Sequence, residues 1–234
     1  MTTSRPAGPT FTCLIPAYNE AARIGVVLDA VLALPLLQAV IVIDDGSTDD
    51  TQAIAQAKGA QVIRTPGNLG KTKALALGLN GVTTSHVVLI DADLTGLTTA
   101  ALSALIDPVL HGTAQASISL RGNAPRTWRL IGIDYISGER VIARSLLAGH
   151  QDGLGGLPRF GFEVFLNRLL IAQNASLAIV AWPAVASPSK AAKRGIVAGL
   201  WADGSMMADI FRTIGPVDCL RQIIALRRLR QPAL

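Results

Sequence analysis

Between Thr10 and Asp93 the chain alternates short apolar runs with longer amphipathic stretches, and this alternation restricts the fold more than any other feature. "TFTCLIPA" (Thr10–Ala17), "QAVIVIDD" (Gln38–Asp45), "AQVIR" and "HVVLIDAD" read as strands, and the second is apolar on both faces, as in a buried parallel sheet. In "NEAARIGVVLDAVLAL", Ile24, Val27, Leu28, Val31 and Leu32 recur at helical spacing, and Pro35 ends the helix. Ser47 and Thr48 offer caps for a second helix that closes at Gly59. "KTKALALGLN" and "TTAALSALIDPVLHG" supply two more helices, and "AQASISL" a fifth strand. This rhythm predicts an open, Rossmann-like α/β sheet with ligands at the carboxyl ends of its strands.

After Arg121 the rhythm changes. "RGNAPRTWR" reads as a loop, and "LIGIDYISGERVIARSLLAG" as helix with a break near Ser137 and Gly138. A glycine-rich loop, "HQDGLGGLPRFG", precedes the helix "FEVFLNRLLIAQN" and the strand "SLAIVAWP". A basic loop, "SPSKAAKRG", and two helices ending in "VDCLRQIIALRRLR" complete the chain. Half of the 234 residues are apolar and 16% are charged, which suits one large buried core and excludes a disordered chain. Mean hydropathy is high (+0.42), yet the most apolar stretch, Phe165 to Ala186, is interrupted by Arg168, Gln173 and Asn174. No transmembrane helix is therefore expected, and the N-terminus carries no apolar signal core. The isolated thiols Cys13 and Cys219 agree with a cytoplasmic protein.

Three acidic, loop-forming motifs fall after strands one, two and four: "PAYNE" (Pro16–Glu20), "DDGSTDDT" (Asp44–Thr51) and "DAD" (Asp91–Asp93). Each alone reads equally well as a turn or a helix start. Their order in one sheet points to a site that reads a base and ribose and handles a diphosphate. Two carboxylates one residue apart supply hard oxygen ligands for a divalent cation that keeps positions open for phosphate. A fourth stretch, "TPGNLGKT", imitates a P-loop with Gly70, Lys71 and Thr72 in register, but Thr65 stands at the first glycine position. It also follows the third strand rather than the first. Gly67 and Gly70 permit a tight turn, Asn68 can tie the loop to itself, and Lys71 opens a helix aimed at phosphates.

"IPAYNE", "VIDDGSTDDT", "NLGKTKALALGL" and "VVLIDADL" together resemble, in order and spacing, the signatures of the family 2 glycosyltransferases of the GT-A fold. The resemblance is strong over residues 10–97 and visible to about residue 210, with polyprenyl-phosphate sugar transferases and small soluble bacterial enzymes as the nearest types. It implies a mixed, mostly parallel sheet with helices on both faces. It implies one domain over 1–234: a nucleotide-sugar-binding half over 10–120, an acceptor half over 121–215 and a basic amphipathic helix over 216–234. The implied reaction is inverting, metal-dependent transfer of a sugar from a UDP- or GDP-sugar to a polyprenyl phosphate or a small phosphorylated or hydroxyl acceptor. Pro16, Ala17, Tyr18, Glu20, Asp44, Asp45, Gly70, Lys71, Asp91 and Ala92 would hold the donor. Asp91 and Asp93 would hold Mg²⁺ or Mn²⁺. Thr95 stands where relatives carry a glutamine that can join the metal shell.

On the acceptor side the candidates are Arg121, Ser137, Gly138, Arg140 and Lys190, with Lys193 as a weaker companion. Arg121 and Arg140 read equally as solvated surface ion pairs. Glu163, among apolar neighbours that would raise its pKa, is the candidate general base, with His150 and Asp152 as competitors; a phosphate acceptor would need none. Residues 187–234 hold eight basic and three acidic groups, which accounts for the whole net charge of +5. With few aromatics beside them, the arginines do not suggest a nucleic-acid surface. The last helix, with Val217, Leu220, Ile223, Ile224 and Ala225 on or near one face, either packs on its own domain or lies against anionic lipid at the inner membrane face. A P-loop-like nucleotide hydrolase, a sugar-nucleotide pyrophosphorylase and a non-catalytic nucleotide-sugar-binding module are the competing readings. The donor sugar, the acceptor and the oligomeric state are not encoded in any motif.

Overall fold

The computed structural model describes residues 8–148, 161–187 and 214–231. Seven strands form one sheet: β1 (Phe11–Ala17), β2 (Leu37–Asp44), β3 (Gln61–Arg64), β4 (His86–Leu89), β5 (Ala116–Arg121), β6 (Arg140–Ala143) and β7 (Leu177–Trp182). Their order is β3-β2-β1-β4-β6-β5-β7. All neighbours run parallel except β6, which is antiparallel to both β4 and β5. The sheet is therefore mixed and mostly parallel, as the resemblance implied.

Alternation along the strands divides the core into two layers. Leu14, Ile41, Ile43, Val87 and Leu89 face one side and pack against α3 (Lys71–Leu79), α6 (Gly161–Ala172) and α7 (Pro216–Leu229). Cys13, Ile15, Val40, Val42 and Val88 face the other, against α1 (Ile24–Leu32) and α4 (Thr99–Leu110). Side chains buried on both faces explain the unbroken apolar runs. The remaining helices are α2 (Thr51–Ala57) and α5 (Arg126–Ile131).

Local chemistry moves several boundaries. Helix α1 starts at Ile24 rather than Asn19, because Asn19 adopts a left-handed φ of 55° and the Glu20 carbonyl accepts from the amides of Arg23 and Ile24. Ser47 and Thr48 do not cap α2; they bond Asn19 in the first motif. The segment expected as a loop forms α5, anchored by the buried Trp128.

The largest departure is β6. A broken helix was expected there, but Val141 and Ile142 face opposite core layers, which a central strand allows and one helix face does not. Helix α7 packs on its own domain through Cys219, Gln222, Ile223, Leu226 and Leu229. Of the residues read on or near one apolar face, Ile223 is buried, whereas Val217, Leu220 and Ile224 are exposed. Among the described residues no helix is long and apolar enough to cross a membrane.

Candidate active site

The register pairs Ala17 with Asp44 and places β4 on the other side of β1, so the three acidic motifs meet at one end of the sheet. The turn of Asn19 fastens the first motif to the second. Its backbone N–H donates to Ser47 Oγ (2.9 Å), and its Oδ1 accepts from the Thr48 N–H (2.8 Å).

The adjacent aspartates Asp44 and Asp45 do different jobs. Asp44 is fully buried below the cleft, where Oδ1 accepts from the Ser47 N–H (3.0 Å) and Oδ2 from Arg64 (2.8 Å). It builds the turn and does not face the cleft, which corrects the expected donor contact. Asp45 lines the cleft, but its two oxygens accept the backbone N–H groups of Leu69 (2.9 Å) and Gly70 (2.7 Å). Thr65 closes the same loop by donating to the Gly67 carbonyl (2.7 Å). Gly46, at φ 73°, lies so near this loop that a Cβ would sit 2.6 Å from the Gly67 backbone. The fixing of "TPGNLG" thus comes from Asp45 and Thr65, rather than from Asn68 as expected. A P-loop works by turning its amides toward phosphate; here two of them are occupied by a carboxylate of the protein itself.

Asp45→Asn should consequently cost about 3 kcal/mol, because one charge-assisted bond is lost and an amide donor then faces a backbone donor. Urea unfolding measures this directly. A change below about 0.5 kcal/mol, the scale of a neutral surface substitution, would remove the structural role given to Asp45.

Lys71 opens α3 and extends between two carboxylates, Asp91 Oδ1 (2.7 Å) and Glu163 Oε1 (3.0 Å). Burial alone would lower its pKa, but the Asp91 and Glu163 charges outweigh that and hold the ammonium above its usual range. The side chain as a whole remains 39% exposed although its ammonium bonds both carboxylates. Burial works against the ionised Asp91 as well, yet Lys71 holds that carboxyl below its ordinary value. Asp93 behaves in the opposite way. Burial, followed by the charges of Asp91, Glu20 and Glu139, pushes it up to about 6.

These side chains surround a cleft of about 290 Å³. Pro16, Ala17, Tyr18, Glu20, Asp45, Gly70, Lys71, Asp91, Ala92 and Asp93, all expected from the motifs, line it together with Asn68 and Ala74. Tyr18 is exposed at its rim. The donor set suits a divalent cation: Asp93 is crowded by like charges, and Asp91 is kept ionised beside it. Among the described residues no group of three or more carboxylate, imidazole or thiol side chains forms a self-contained metal cage.

The acceptor-side residues stand differently from their expected places. Arg121 is neither free nor a solvated surface pair. Its side chain is 12% exposed and bonds Asp134 (3.1 Å), Glu139 (3.4 Å) and Ser187 Oγ (2.6 Å). Ser187 Oγ in turn approaches Asp93 Oδ1 at 3.5 Å. Ser137 is buried against Ser119 and Glu139. Arg140 is fully buried and bonds backbone carbonyls and Asn167, so it is no surface ion pair. Gly138 stands directly against the Lys71–Asp91 pair, and with Arg140 it borders a small cavity that Lys71, Asp91 and Glu163 also line. Glu163 is an ion-pair partner of Lys71 rather than a carboxylate isolated among apolar groups. Thr95 turns its hydroxyl to the Ala186 carbonyl (3.1 Å), a stitch between two loops. Lys190, Lys193, His150 and Asp152 lie outside the described residues.

Sequence reasoning gave Asn68 a loop role rather than a place on the cleft, and it missed Ser119, Asp134, Glu139, Asn167 and Ser187. Glu139 beside Arg140 carried a signal: two charges opening an apolar run are unusual unless both find partners inside.

The family model for glycosyl transferase family 2 matches residues 12–154. The chain belongs to this family. It is 34% identical over 163 residues to the glucosyl-3-phosphoglycerate synthase of Mycobacterium tuberculosis H37Rv, a match covering 64% of this chain and 50% of that protein. It is 38% identical over 101 residues to the 4,4'-diaponeurosporenoate glycosyltransferase of Staphylococcus aureus NCTC 8325, covering 41% and 27%. The chain therefore spans half or less of the length of these curated relatives. Among solved structures it resembles the M. tuberculosis synthase bound to phosphoglyceric acid, with a TM-score of 0.68, 26% identity and coverage of 89% and 81%. The same synthase with Mn²⁺, UDP-glucose and phosphoglyceric acid gives a TM-score of 0.67 at 25% identity, with the same coverage.

Proposed function

We propose that this chain transfers a sugar, glucose first among the candidates, from a nucleoside-diphosphate sugar to a small phosphorylated acceptor with the help of Mg²⁺ or Mn²⁺. The observation that carries the reading is the convergence of Asp91, Asp93 and Lys71 on one cleft at the carboxyl ends of β1, β2 and β4. In support, the related synthase has been crystallised with Mn²⁺, UDP-glucose and phosphoglyceric acid.

In this reading Pro16, Ala17 and Tyr18 border the nucleoside side of the cleft, and Asp45 keeps the Gly70–Lys71 backbone in place beneath the diphosphate. Asp91 and Asp93 are the residues that would hold the cation, which supplies Lewis-acid stabilisation of the nucleoside-diphosphate leaving group. Lys71 places a permanent positive charge beside them, at the N-terminus of α3. Of the expected acceptor residues, Gly138 borders this cluster, and Lys190 is retained on its sequence position after β7. Inversion onto a hydroxyl of the acceptor would need a base, and the candidate Glu163 is bonded to Lys71; the anomeric configuration of the product tests the stereochemical course. We place the protein in the cytoplasm, with the exposed Val217, Leu220 and Ile224 of α7 as its candidate membrane-facing surface.

Thermal shift with UDP or GDP, with and without Mn²⁺, tests the nucleotide site. Binding at about 100-fold above Kd should raise Tm by roughly 5–10 °C, and only with metal. A panel of UDP-glucose, UDP-GlcNAc and GDP-mannose, each with phosphoglyceric acid, then identifies the donor and separates an enzyme from a binding module. ATP binding that is lost in Lys71→Ala but untouched by Asp93→Ala would overturn the proposal in favour of a phosphate-loop protein.

A further inference from the structure

Arg140 opens the central strand β6 and is fully buried. Among the described residues its guanidinium bonds only neutral groups: Nη1 donates to Asn167 Oδ1 (2.6 Å), Nη2 to the Tyr135 carbonyl (3.1 Å) and Nε to the Ser137 carbonyl (2.7 Å). Burying a charge without a bonded counter-ion is expensive, and a leucine or methionine would fill the same space. A guanidinium differs from them in binding several acceptors at once in a fixed planar fork. Asn167, on α6, completes the arrangement by donating its Nδ2 to the Tyr135 carbonyl (3.0 Å). The Tyr135 hydroxyl donates to Gln222 Oε1 on α7 (2.7 Å). Both carbonyls flanking Ile136 are therefore held, and Gly138 follows directly. A Cβ at Gly138 would lie 2.6 and 2.7 Å from the Asp91 carboxylate oxygens and 2.8 Å from Lys71 Nζ. The backbone at 138 is thus the wall against which the ion pair stands.

We propose that Arg140 is a positioning residue: by pinning the Tyr135 and Ser137 carbonyls it holds the backbone at Gly138 against the Lys71–Asp91 pair and fixes where both charges stand in the cleft. The functional meaning of the inference rests on the glycosyltransferase reading above. Arg140 lies outside the donor cleft and borders a smaller cavity behind it, shared with Lys71, Asp91, Gly138 and Glu163; it acts through the loop.

The test uses Arg140→Lys, which keeps the charge and loses the fork, and Asn167→Asp, which gives Arg140 a carboxylate partner and removes only the bond to the Tyr135 carbonyl. Leu226→Ala, a core truncation in α7, is the control for lost stability. Two quantities are measured: hydrogen–deuterium exchange of residues 135–139 without ligand, and the Kd for UDP with Mn²⁺ by calorimetry. Arg140→Lys should speed exchange of this loop and raise Kd by about 10-fold, the scale seen when a residue behind a metal ligand is lost. Asn167→Asp should raise Kd by about 3-fold and keeps the test open if Arg140→Lys does not fold. Leu226→Ala should lower Tm without moving either quantity. Wild-type affinity in the substituted proteins, or an equal loss in Leu226→Ala, would overturn the inference. Failure of the wild-type protein to bind UDP with Mn²⁺ would instead overturn the functional reading.

Discussion

Asp93→Asn is expected to lower the transfer rate at least about 10³-fold while leaving the fold intact. The substitution keeps the shape of the side chain and removes the charge that Mg²⁺ or Mn²⁺ would bind. Stability should move in the other direction. In the metal-free protein at pH 8, above the value of about 6 to which Asp93 is pushed, its carboxylate is ionised among Asp91, Glu20 and Glu139. Asparagine relieves that repulsion, so Tm should stay level or rise, and the Tm gain on adding UDP with Mn²⁺ should vanish. A fall in Tm on substitution would mean that Asp93 holds the fold rather than a cation.

Lys71→Met should reduce the rate about 10²- to 10³-fold, the scale of losing one preorganised electrostatic donor. Here stability should fall, because the ammonium is the bonded partner of both Asp91 and Glu163. Removing it leaves two carboxylates facing one site without a bonded cation, and truncating one side of such a pair is costlier than never having built it. Thermal denaturation and steady-state kinetics on the same sample separate the two effects. A variant with normal Tm and normal rate would exclude Lys71 from both roles. The two variants should therefore share the loss of activity and differ in the sign of their effect on stability.

The sheet was legible where its signals are local. Apolar runs such as "AVIVID" can only be buried on two faces, and Gly59 and Pro35 punctuate the helices between them. The cleft was legible for a related reason, since residues ending β1, β2 and β4 gather wherever a doubly wound sheet forms. What failed depends on partners distant in sequence. Asp44 and Asp45 are indistinguishable as letters; only the pleat sends one under the turn and the other to the Leu69–Gly70 amides. Arg121 and Arg140 read as acceptor ligands or surface ion pairs because arginine is rarely buried, and their burial follows from Asp134, Glu139 and Asn167. Four residues of β6 carry too little pattern to reveal a strand whose pairing is antiparallel and non-local.

That backward strand also decides how divisible the molecule is. The first five strands in chain order could pass for a self-contained nucleotide module ending near Arg121, with the rest as an attachment. Yet the free edge of β4 is closed by β6, from residues that come later in the chain, and β5 reaches the sheet only through β6. A fragment cut at residue 121 would leave β4 with an open edge prone to pairing between molecules and β5 without a neighbour. The donor-side motifs are contiguous in sequence, but the folding unit that supports them is not and also includes α7, so graft or truncation boundaries belong outside residues 11–231.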